Sequence, residues 1–357
     1  MKILVTGAAG FIGSHIANAL HARGHAVIGV DDLSGALDWH NLKASSETYR
    51  GFIPSANYFA RSTRDCANYE EMRSIFDIVH INDGAPFDVV VNCAANAREG
   101  ASQFQPYSIA QRNLQLASNV LSHGLRTGCK RYVMFSSMAV YGAQTPPFSE
   151  DLPLEPEDVY GVNKMAMERV TKILCETHGA SYAIIRPHNV FGENQALFDK
   201  HRNVIGIFMN RIMRGEPLFI YGDGEQTRAF SYIGDSLPSF IKVIEGVGVV
   251  PKLTNMEINI GGVEPVTVNA LASIVKREMG VDTSYPTEYH IDRPREVKHA
   301  FTTYEKSVDL LGYSERIGWI AGVAAMAQWA RARGPVDWMN KEKLEIISDL
   351  VPIPWRG

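Results

Sequence analysis

Residues 3–13 of the chain read ILVTGAAGFIG. The apolar run 2–6 predicts a short buried strand, and residues 14–23 carry apolar side chains at helical spacing. Glycines between a strand and a helix let the backbone approach a pyrophosphate, whose charge faces the free N–H groups of the helix N-terminus. The stretch therefore predicts a dinucleotide site, with the candidate residues Gly7, Gly10, Phe11, Ile12 and Gly13.

An acidic pair comes after the second predicted strand, residues 25–30. Asp31 stands 18 residues after Gly13, with Asp32 beside it. A carboxylate at this strand end accepts hydrogen bonds from the adenosine ribose and repels a 2′-phosphate. Because no arginine follows the pair closely, the sequence predicts NAD rather than NADP as the cofactor.

Apolar strands and helices alternate through the rest of the first half. Val- and Ile-rich strands separated by helices indicate a parallel sheet covered on both sides. We therefore predict an α/β fold, a Rossmann-type doubly wound parallel sheet with a smaller, mixed α/β C-terminal substrate domain. The predicted strands are 87–92, 131–135 and 181–186, and the predicted helices are 108–127 and 160–177.

Two domains are predicted. The cofactor domain is 1–187, with 229–262 returning to it, and the substrate domain is 188–228 with 263–357. The tail 334–357 is expected on the surface or at an interface.

Composition excludes several classes of protein. The chain has 357 residues and a net charge of −4, without a dense Lys/Arg block, so no nucleic-acid partner is predicted. No run of about 18 apolar residues is present, so no membrane span is predicted. Four cysteines lie far apart, which predicts free thiols in a reducing compartment, a cytoplasmic location and no metal site.

Two motifs carry chemistry. Tyr160 and Lys164 share a helix face at i and i+4. A tyrosine is a poor base at its ordinary pKa of about 10, but a nearby ammonium favours the phenolate, which can take a proton from a sugar hydroxyl. Ser136 and Ser137 end the strand 131–135, where ligands of open α/β sheets bind. A serine there can hold the reacting hydroxyl.

With these motifs in this order, the chain resembles the extended short-chain dehydrogenase/reductase family, and within it the NAD-dependent nucleotide-sugar epimerases and dehydratases, UDP-galactose 4-epimerases above all. The resemblance runs from Met1 to about Gly312. It implies a homodimer through the helices near 108–127 and 160–177. It also implies a catalytic set of Ser137, Tyr160 and Lys164.

The resemblance implies further binding residues. Ser62 stands where the family often has an aspartate that contacts adenine, and Arg293–Glu296 resembles a motif that binds phosphate and the nucleotide ribose. The implied cofactor-binding residues besides those above are Ser62, Thr63, Ala94, Ala95, Asn113, Tyr160 and Lys164. The implied substrate-binding residues are Arg98, Ser137, Met138, Tyr160, Asn189, Asn203, Tyr221, Arg228, Arg293 and Glu296.

The two residues after Ser137 narrow the reaction. Family members that dehydrate a sugar carry Asp-Glu there, whereas this chain has Met138 and Ala139, which move no proton. This leaves epimerisation at carbon 4 of a UDP-hexose or UDP-N-acetylhexosamine through a transient 4-keto sugar, with a small Ala300 at a position that leaves room for the N-acetyl group.

Three alternatives stay open at this point. Arg98 suits a carboxylate and suggests a UDP-uronate 4-epimerase. Epimerisation at another carbon needs an extra base, with His188 as the first candidate. A non-catalytic NAD-binding scaffold is the alternative from another class of protein, because fold alone does not fix function.

Overall fold

The computed structural model describes residues 1–43, 45–49, 57–246, 253–262, 264–339 and 343–356, with side chains described for all of these except residues 80–83. Helices and strands alternate regularly through the first half and less regularly in the second. The helices are α1 (Phe11–Ala22), α2 (Tyr69–Asp83), α3 (Pro106–Ala110), α4 (Leu116–Arg126), α5 (Val159–His178), α6 (Val204–Met213), α7 (Ile233–Glu245), α8 (Val268–Met279), α9 (Glu305–Leu311) and α10 (Trp319–Arg333).

The strands form one large sheet and three small ones. The large sheet has eight strands in the order β12-β7-β6-β5-β1-β2-β4-β3, and its neighbouring strands run parallel. The prediction of a doubly wound parallel sheet is therefore confirmed. The strands are β1 (Lys2–Thr6), β2 (Ala26–Asp31), β3 (Glu47–Thr48), β4 (Phe59–Thr63), β5 (Val89–Asn92), β6 (Arg131–Phe135), β7 (Ser181–His188), β8 (Val190–Phe191), β9 (Leu218–Tyr221), β10 (Thr227–Ala229), β11 (Ser231–Tyr232), β12 (Met256–Gly261), β13 (Pro265–Thr267), β14 (Thr287–His290) and β15 (His299–Ala300).

Both faces of the large sheet are covered by apolar residues of the flanking helices. Successive side chains of a strand point to opposite faces, so neighbouring residues of β1 pack in different clusters. Ile3 and Val5 of β1 pack on one face with apolar residues of α1 and α7. Leu4 packs on the other with residues of α2, α4 and α5. Apolar burial on both faces explains why the strands read as continuous Val/Ile runs.

The second half builds a smaller lobe on the first of these faces. Its sheets pair β13-β10-β15, β11-β8 and β14-β9, while β12 returns to the edge of the large sheet beside β7. Phe208 of α6, Leu271 of α8 and Met326 of α10 belong to the same apolar cluster as Ile3 and Val5. The smaller lobe is thus joined to the sheet by a continuous core, which brings β9 and β10 toward the carboxyl ends of the parallel strands.

Two helical features differ from the sequence expectation. The predicted helix 108–127 begins at Pro106 and contains a π-helical turn over Gln111–Gln115 between α3 and α4. Helix α2 was not among the predicted helices, although Met72, Ile75, Phe76 and Val79 have helical spacing and are buried. Among the residues described, no helix combines the length and the apolar character that crossing a lipid bilayer requires.

Candidate active site

A cavity of about 430 Å³ lies where the large sheet meets the smaller lobe. The sheet order reverses at β1, between β2 and β5, and ligands of open α/β sheets bind in the crevice at such a point. Gly7 follows β1 and Ala94 follows β5, and both line the cavity. Residues of β9 and β10 line it from the opposite lobe, so one cavity spans both halves of the chain.

The glycine-rich turn after β1 has the close backbone packing that a dinucleotide pyrophosphate needs. Gly7 has φ of +69°, and a Cβ there would lie 2.9 Å from the Cα atom of Ala94. A Cβ at Gly13 would overlap the carbonyl oxygen of Gly7. Gly10, Phe11 and Gly13 line the cavity at the N-terminus of α1, whose first N–H groups have no partner within the helix. These residues fit a bound pyrophosphate.

The acidic pair at the end of β2 also lines the cavity. Asp31 accepts hydrogen bonds from the N–H groups of Ala9 at 3.0 Å and Leu33 at 2.8 Å. Burial raises the pKa of Asp31 to about 6, although the bond from Leu33 lowers it. The carboxylate is thus the form that dominates at neutral pH, which suits ribose hydroxyls and disfavours a 2′-phosphate.

An arginine distant in sequence reaches this end of the cavity. Arg112, on the π-helical turn, forms an ion pair with Asp32 and another, at 3.2 Å, with Asp65. No arginine follows Asp31 closely in sequence, but the fold brings Arg112 from a distant segment next to Asp32. Because the two carboxylates of Asp32 and Asp65 pair with Arg112, the arginine does not neutralise Asp31.

Ser137, Tyr160 and Lys164 meet on one wall of the cavity. Ser137 lies beside Tyr160 on this wall, and the Lys164 Nζ atom lies 5.6 Å from the centre of the Tyr160 ring. Lys164 donates to the carbonyl oxygen of Phe135 at 2.8 Å, and burial lowers its pKa to about 8. Burial and the charge of Glu99 raise the pKa of Tyr160. A phenolate here requires nearby positive charge.

Local structure aims these side chains at the cavity. Asp158 caps α5 by accepting from the N–H of Gly161 at 2.7 Å, so Tyr160 stands in the first turn of the helix. Ser137 ends the loop after β6 and caps a short 3₁₀ turn, accepting from the N–H of Ala139 at 3.1 Å. A helix start and a strand end therefore converge at the point where the predicted motifs meet.

The smaller lobe supplies two arginines around one carboxylate. Arg228 contacts Glu296 at 2.8 Å, and Arg293 contacts the other oxygen of Glu296 at 2.5 Å. The Arg293 guanidinium also lies 5.6 Å from the centre of the Tyr221 ring. Planar guanidinium groups match phosphate oxygens, and an aromatic ring matches a nucleobase. This part of the cavity therefore suits a nucleoside diphosphate.

Two asparagines line the part of the cavity wall that belongs to the smaller lobe, and their side chains form hydrogen bonds with backbone groups. Asn189, with φ of +39°, donates from Nδ2 to the carbonyl oxygen of Ala229 at 3.0 Å. Asn203 caps α6, accepting from the N–H of Ile205 at 3.0 Å. Both predicted residues are at the cavity wall and keep β10 and α6 in place there.

Arg98 lines the cavity but is paired with a buried carboxylate. Its Nε atom lies 2.9 Å from Asp199, and both side chains are almost fully buried. Positive charge from Arg98 and Arg202 lowers the pKa of Asp199 against the effect of its burial. Arg202 pairs with Asp199 as well, at 3.3 Å, so two arginines share one carboxylate, and a role of Arg98 toward a sugar carboxylate stays a prediction.

Four predicted site residues lie off the cavity wall. Ser62 is buried, and Thr63 is exposed and accepts from the Trp39 indole at 3.2 Å. Asn113 is fully buried and bonds both the N–H and the carbonyl oxygen of Asn96, so it braces the loop after β5. Met138 is buried beneath the wall.

Two further sequence arguments change with the structure. Ala300 packs in an apolar cluster with Met138, Val140, Tyr141 and Phe148 behind the cavity wall, so its small size opens no space for an N-acetyl group. His188 is fully buried and hydrogen-bonds Thr302, and burial lowers its pKa to about 3. A group so placed is a packing residue and a poor base.

The sequence motifs did not mark Asp158 or Trp355, which line the cavity together with Glu99. Glu99 follows Arg98 and is exposed to the cavity, and Asp158 lies two residues before Tyr160. Burial and the negative charge of Glu99 raise the pKa of Asp158 to about 7. Trp355, in the tail, was expected on the surface or at an interface and instead lines the cavity. Asp158 had a local signal, since an aspartate before a helix is a good N-cap.

The fold and the site together define a Rossmann-type enzyme that holds a dinucleotide beside a second, phosphate-bearing ligand. Residues 3–261 match the model of the NAD dependent epimerase/dehydratase family, and the chain belongs to that family. It is therefore an NAD-dependent enzyme, which removes the alternative of a non-catalytic scaffold.

Individual relatives cover nearly the whole chain. The UDP-glucuronate 4-epimerase of Thermodesulfobacterium geofontis is 27% identical over an alignment of 358 positions, which covers 97% of this chain and 98% of that protein. The structure of the UDP-glucose 4-epimerase of Thermotoga maritima with UDP-glucose matches with a TM-score of 0.80 and 27% identity, over 93% of this chain and 99% of that one. MoeE5 in complex with UDP-glucuronic acid and NAD matches with a TM-score of 0.78 and 26% identity, over 93% and 100%.

Proposed function

We propose that this chain is an NAD-dependent 4-epimerase of a UDP-hexose or UDP-N-acetylhexosamine. One observation carries the proposal. Ser137, Tyr160 and Lys164 line a single cavity that has the glycine-rich turn at one end and the arginine pair Arg228 and Arg293 at the other. A nucleotide sugar that spans from the arginines to Tyr160 brings its sugar to the group able to move a proton. The 4-epimerases among the relatives support the same reaction.

In the proposed mechanism the chain's own residues handle the proton. Tyr160 Oη takes the proton of the sugar 4-hydroxyl and returns it, while the Ser137 hydroxyl orients the same oxygen. The Lys164 ammonium stabilises the phenolate by its charge. NAD, when bound, supplies the reversible acceptance of a hydride from carbon 4, so the sugar passes through a 4-keto form without net oxidation.

The charge around Arg98 keeps the UDP-uronate alternative open. Asp199 pairs with Arg98 at 2.9 Å and with Arg202 at 3.3 Å, so one carboxylate faces two guanidinium groups. Arg98 and Arg202 line the cavity, as does the acidic residue Glu99. A UDP-uronate 4-epimerase is therefore the second candidate function, and the relative rates on neutral sugars and on a uronate decide between the two.

The proposal assigns the two ligands to two parts of the chain. Residues 1–187 with 229–262 hold NAD, and residues 188–228 with 263–357 hold the nucleotide sugar. The return of β12 to the large sheet supports the first assignment, although 247–252 lie outside the described residues. The arginine pair on the smaller lobe supports the second.

We also propose a cytoplasmic location. Cys66, Cys93, Cys129 and Cys175 carry free thiols. Unpaired thiols are typical of a reducing compartment, which supports this proposal.

The reaction type predicts the fate of solvent hydrogen. In deuterated water, UDP-glucose and UDP-galactose should interconvert, and the products should carry no deuterium on ring carbons, because carbon 4 regains the hydrogen that left it. The products are analysed by mass spectrometry and proton NMR, with UDP-N-acetylglucosamine and UDP-glucuronate in parallel. The relative rates of the neutral sugars and of the uronate decide between the two candidate substrates.

Two outcomes of that assay would count against the proposal. Deuterium at carbon 3 or 5 would mean epimerisation through an enolate, with Glu99 or Asp158 as the base, since both line the cavity and His188 does not. A faster reaction of UDP-glucuronate than of the neutral sugars would favour the UDP-uronate 4-epimerase instead.

We further propose a homodimer through the helices near 108–127 and 160–177. On α5, Val162 and Ile173 are 45% and 48% exposed and stand about three helical turns apart on one stripe. Light scattering at micromolar concentration should give twice the chain mass of 39.5 kDa. Ile173→Glu should shift the equilibrium toward the monomer, whereas Ile291→Glu, at an exposed site elsewhere, should not. A monomeric parent would contradict the proposal.

A further inference from the structure

The C-terminal tail after α10 crosses from one side of the cavity to the other. Before residue 340 it lies on the smaller lobe, where the N–H of Val336 donates to Asn210 at 3.0 Å and that of Met339 to the carbonyl oxygen of Phe198 at 3.0 Å. Residues 340–342 and Gly357 lie outside the described residues. From Lys343 the tail contacts the loop after β5, since its carbonyl oxygen accepts from Gln105 at 3.2 Å.

Glu345 anchors this second part of the tail. Its carboxylate accepts from the N–H groups of Tyr107 and Ser108, both at 2.8 Å, at the N-terminus of α3. Its own N–H and that of Ile346 donate to the carbonyl oxygen of Phe104 at 2.8 and 3.1 Å. Helix N-terminal N–H groups lack partners within the helix and favour a carboxylate. Four hydrogen bonds thus hold the tail against the segment that carries Glu99.

Trp355, near the end of the tail, lies among three rings from three segments. Its ring centre is 4.7 Å from that of His201, 5.8 Å from that of Tyr221 and 6.4 Å from that of Phe104, each approached edge-on or nearly so. Although it is only 6% exposed, it lines the cavity. This is unlike a side chain that merely covers the surface.

Trp355 stands beside the arginines of the smaller lobe. The position that a Cβ of Gly100 would occupy is 3.5 Å from the Trp355 ring and 2.5 Å from Arg293 Nη1. Arg293 in turn lies over the ring of Tyr221. The indole, the phenol ring and the guanidinium therefore form one corner of the cavity, with aromatic surface next to positive charge.

We propose that Trp355 is a substrate-binding residue that contacts the nucleoside diphosphate, and that residues 343–356 form a strap holding it over this end of the cavity. The identity of the ligand rests on the proposed function. Aromatic side chains bind nucleobases through their faces, and guanidinium groups bind phosphate. The Trp355 ring also packs against the Tyr221 ring, with ring centres 5.8 Å apart, so removal of the indole loosens the packing of a second aromatic group at this end of the cavity.

UDP alone is the probe for this proposal. Titration calorimetry with the NAD-loaded protein should show that Trp355→Ala raises the Kd for UDP about fivefold or more, as expected for loss of one stacked ring. Trp355→Phe keeps a ring and should lose less. Ile353→Ala is the matched control on the same tail, since Ile353 is 71% exposed, and its Kd should equal that of the parent. NAD content should be the same in all four proteins, and the melting temperature shows whether loss of the buried indole has also weakened the fold.

Three outcomes would overturn the proposal. A Kd for Trp355→Ala within about twofold of the parent would mean that the indole does not contact the nucleotide. Tighter binding would mean that the tail blocks the cavity. A parent that binds no UDP would also overturn it. A parent that binds UDP through Trp355 and epimerises no sugar would instead contradict only the proposed function. If Trp355→Ala melts early, the comparison of Trp355→Phe with Ile353→Ala decides.

Discussion

Tyr160→Phe should lower kcat by about 10²- to 10⁴-fold, the range that general acid–base catalysis contributes. The change removes only the hydroxyl that takes the sugar proton, and the ring continues to fill its buried position beside Ser137 and Lys164. Epimerisation is measured with UDP-glucose or UDP-galactose by NMR. The Kd for UDP and the NAD content should stay close to those of the parent, because neither depends on the proton.

Tyr69→Phe is the matched control for this experiment. Tyr69 is 55% exposed at the start of α2, away from the cavity, and loss of its hydroxyl should leave turnover within about twofold of the parent. If Tyr160→Phe turns over within about threefold of the parent, Tyr160 is not the proton acceptor. Asp158, whose pKa is raised to about 7, then becomes the next candidate.

Glu168→Gln should lower the free energy of unfolding by about 3–5 kcal/mol, because it leaves a buried arginine without its counterion. Glu168 and Arg186 are 1% and 2% exposed and form two parallel bonds of 2.7 and 2.9 Å. Burial lowers the pKa of Arg186, but the bonds and charge of Glu168 raise it above its ordinary value. Because an arginine is protonated at neutral pH even without a partner, the guanidinium stays charged in the variant.

The same carboxylate also holds the strand end that carries the site. Ser136 donates to Glu168 at 2.5 Å, and Arg186 donates to the hydroxyl of Tyr141 at 2.8 Å, so the network braces both sides of Ser137. Urea denaturation followed by circular dichroism measures the loss. Glu70→Gln is the control, because Glu70 is 73% exposed beside Arg73 and surface pairs contribute at most about 1 kcal/mol. A loss below about 1 kcal/mol for Glu168→Gln would mean that the buried charge is compensated by another group.

Local patterns were sufficient for the fold and for part of the site. The strand–glycine–helix order of residues 2–23 predicted the first βα unit, and the structure has it at Lys2–Thr6 and Phe11–Ala22. Tyr160 and Lys164 lie one helical turn apart and so share a face of their helix. Ser137 follows the end of a strand, where side chains reach the ligand crevice. Such features depend on neighbours a few residues apart, which a single sequence displays directly.

Other predicted site residues lie off the cavity wall, because their placement depends on partners far away in sequence. Asn113 was expected at the cofactor but bonds the loop at Asn96, and Ala300 was expected at the sugar but packs behind Met138. Ser62 is likewise buried away from the cavity wall, while Asp65 reaches it. In each case the residue lies on the expected segment, and packing decides which side of that segment faces the cavity.

The sequence by itself determined the parallel sheet, the dinucleotide turn and the Ser137, Tyr160 and Lys164 motifs, because hydrophobic periodicity, glycine geometry and helix spacing act within a few residues. Only the tertiary structure decided which charged side chains pair at the substrate end of the cavity and which part of the chain covers that end. Asp199 pairs with Arg98 across about 100 positions of chain, and Trp355 returns from the C-terminus to Tyr221. Coulomb attraction and ring contacts act over a few ångströms in space. Which distant residues come within that range is set by how the two lobes pack, and no local pattern encodes it.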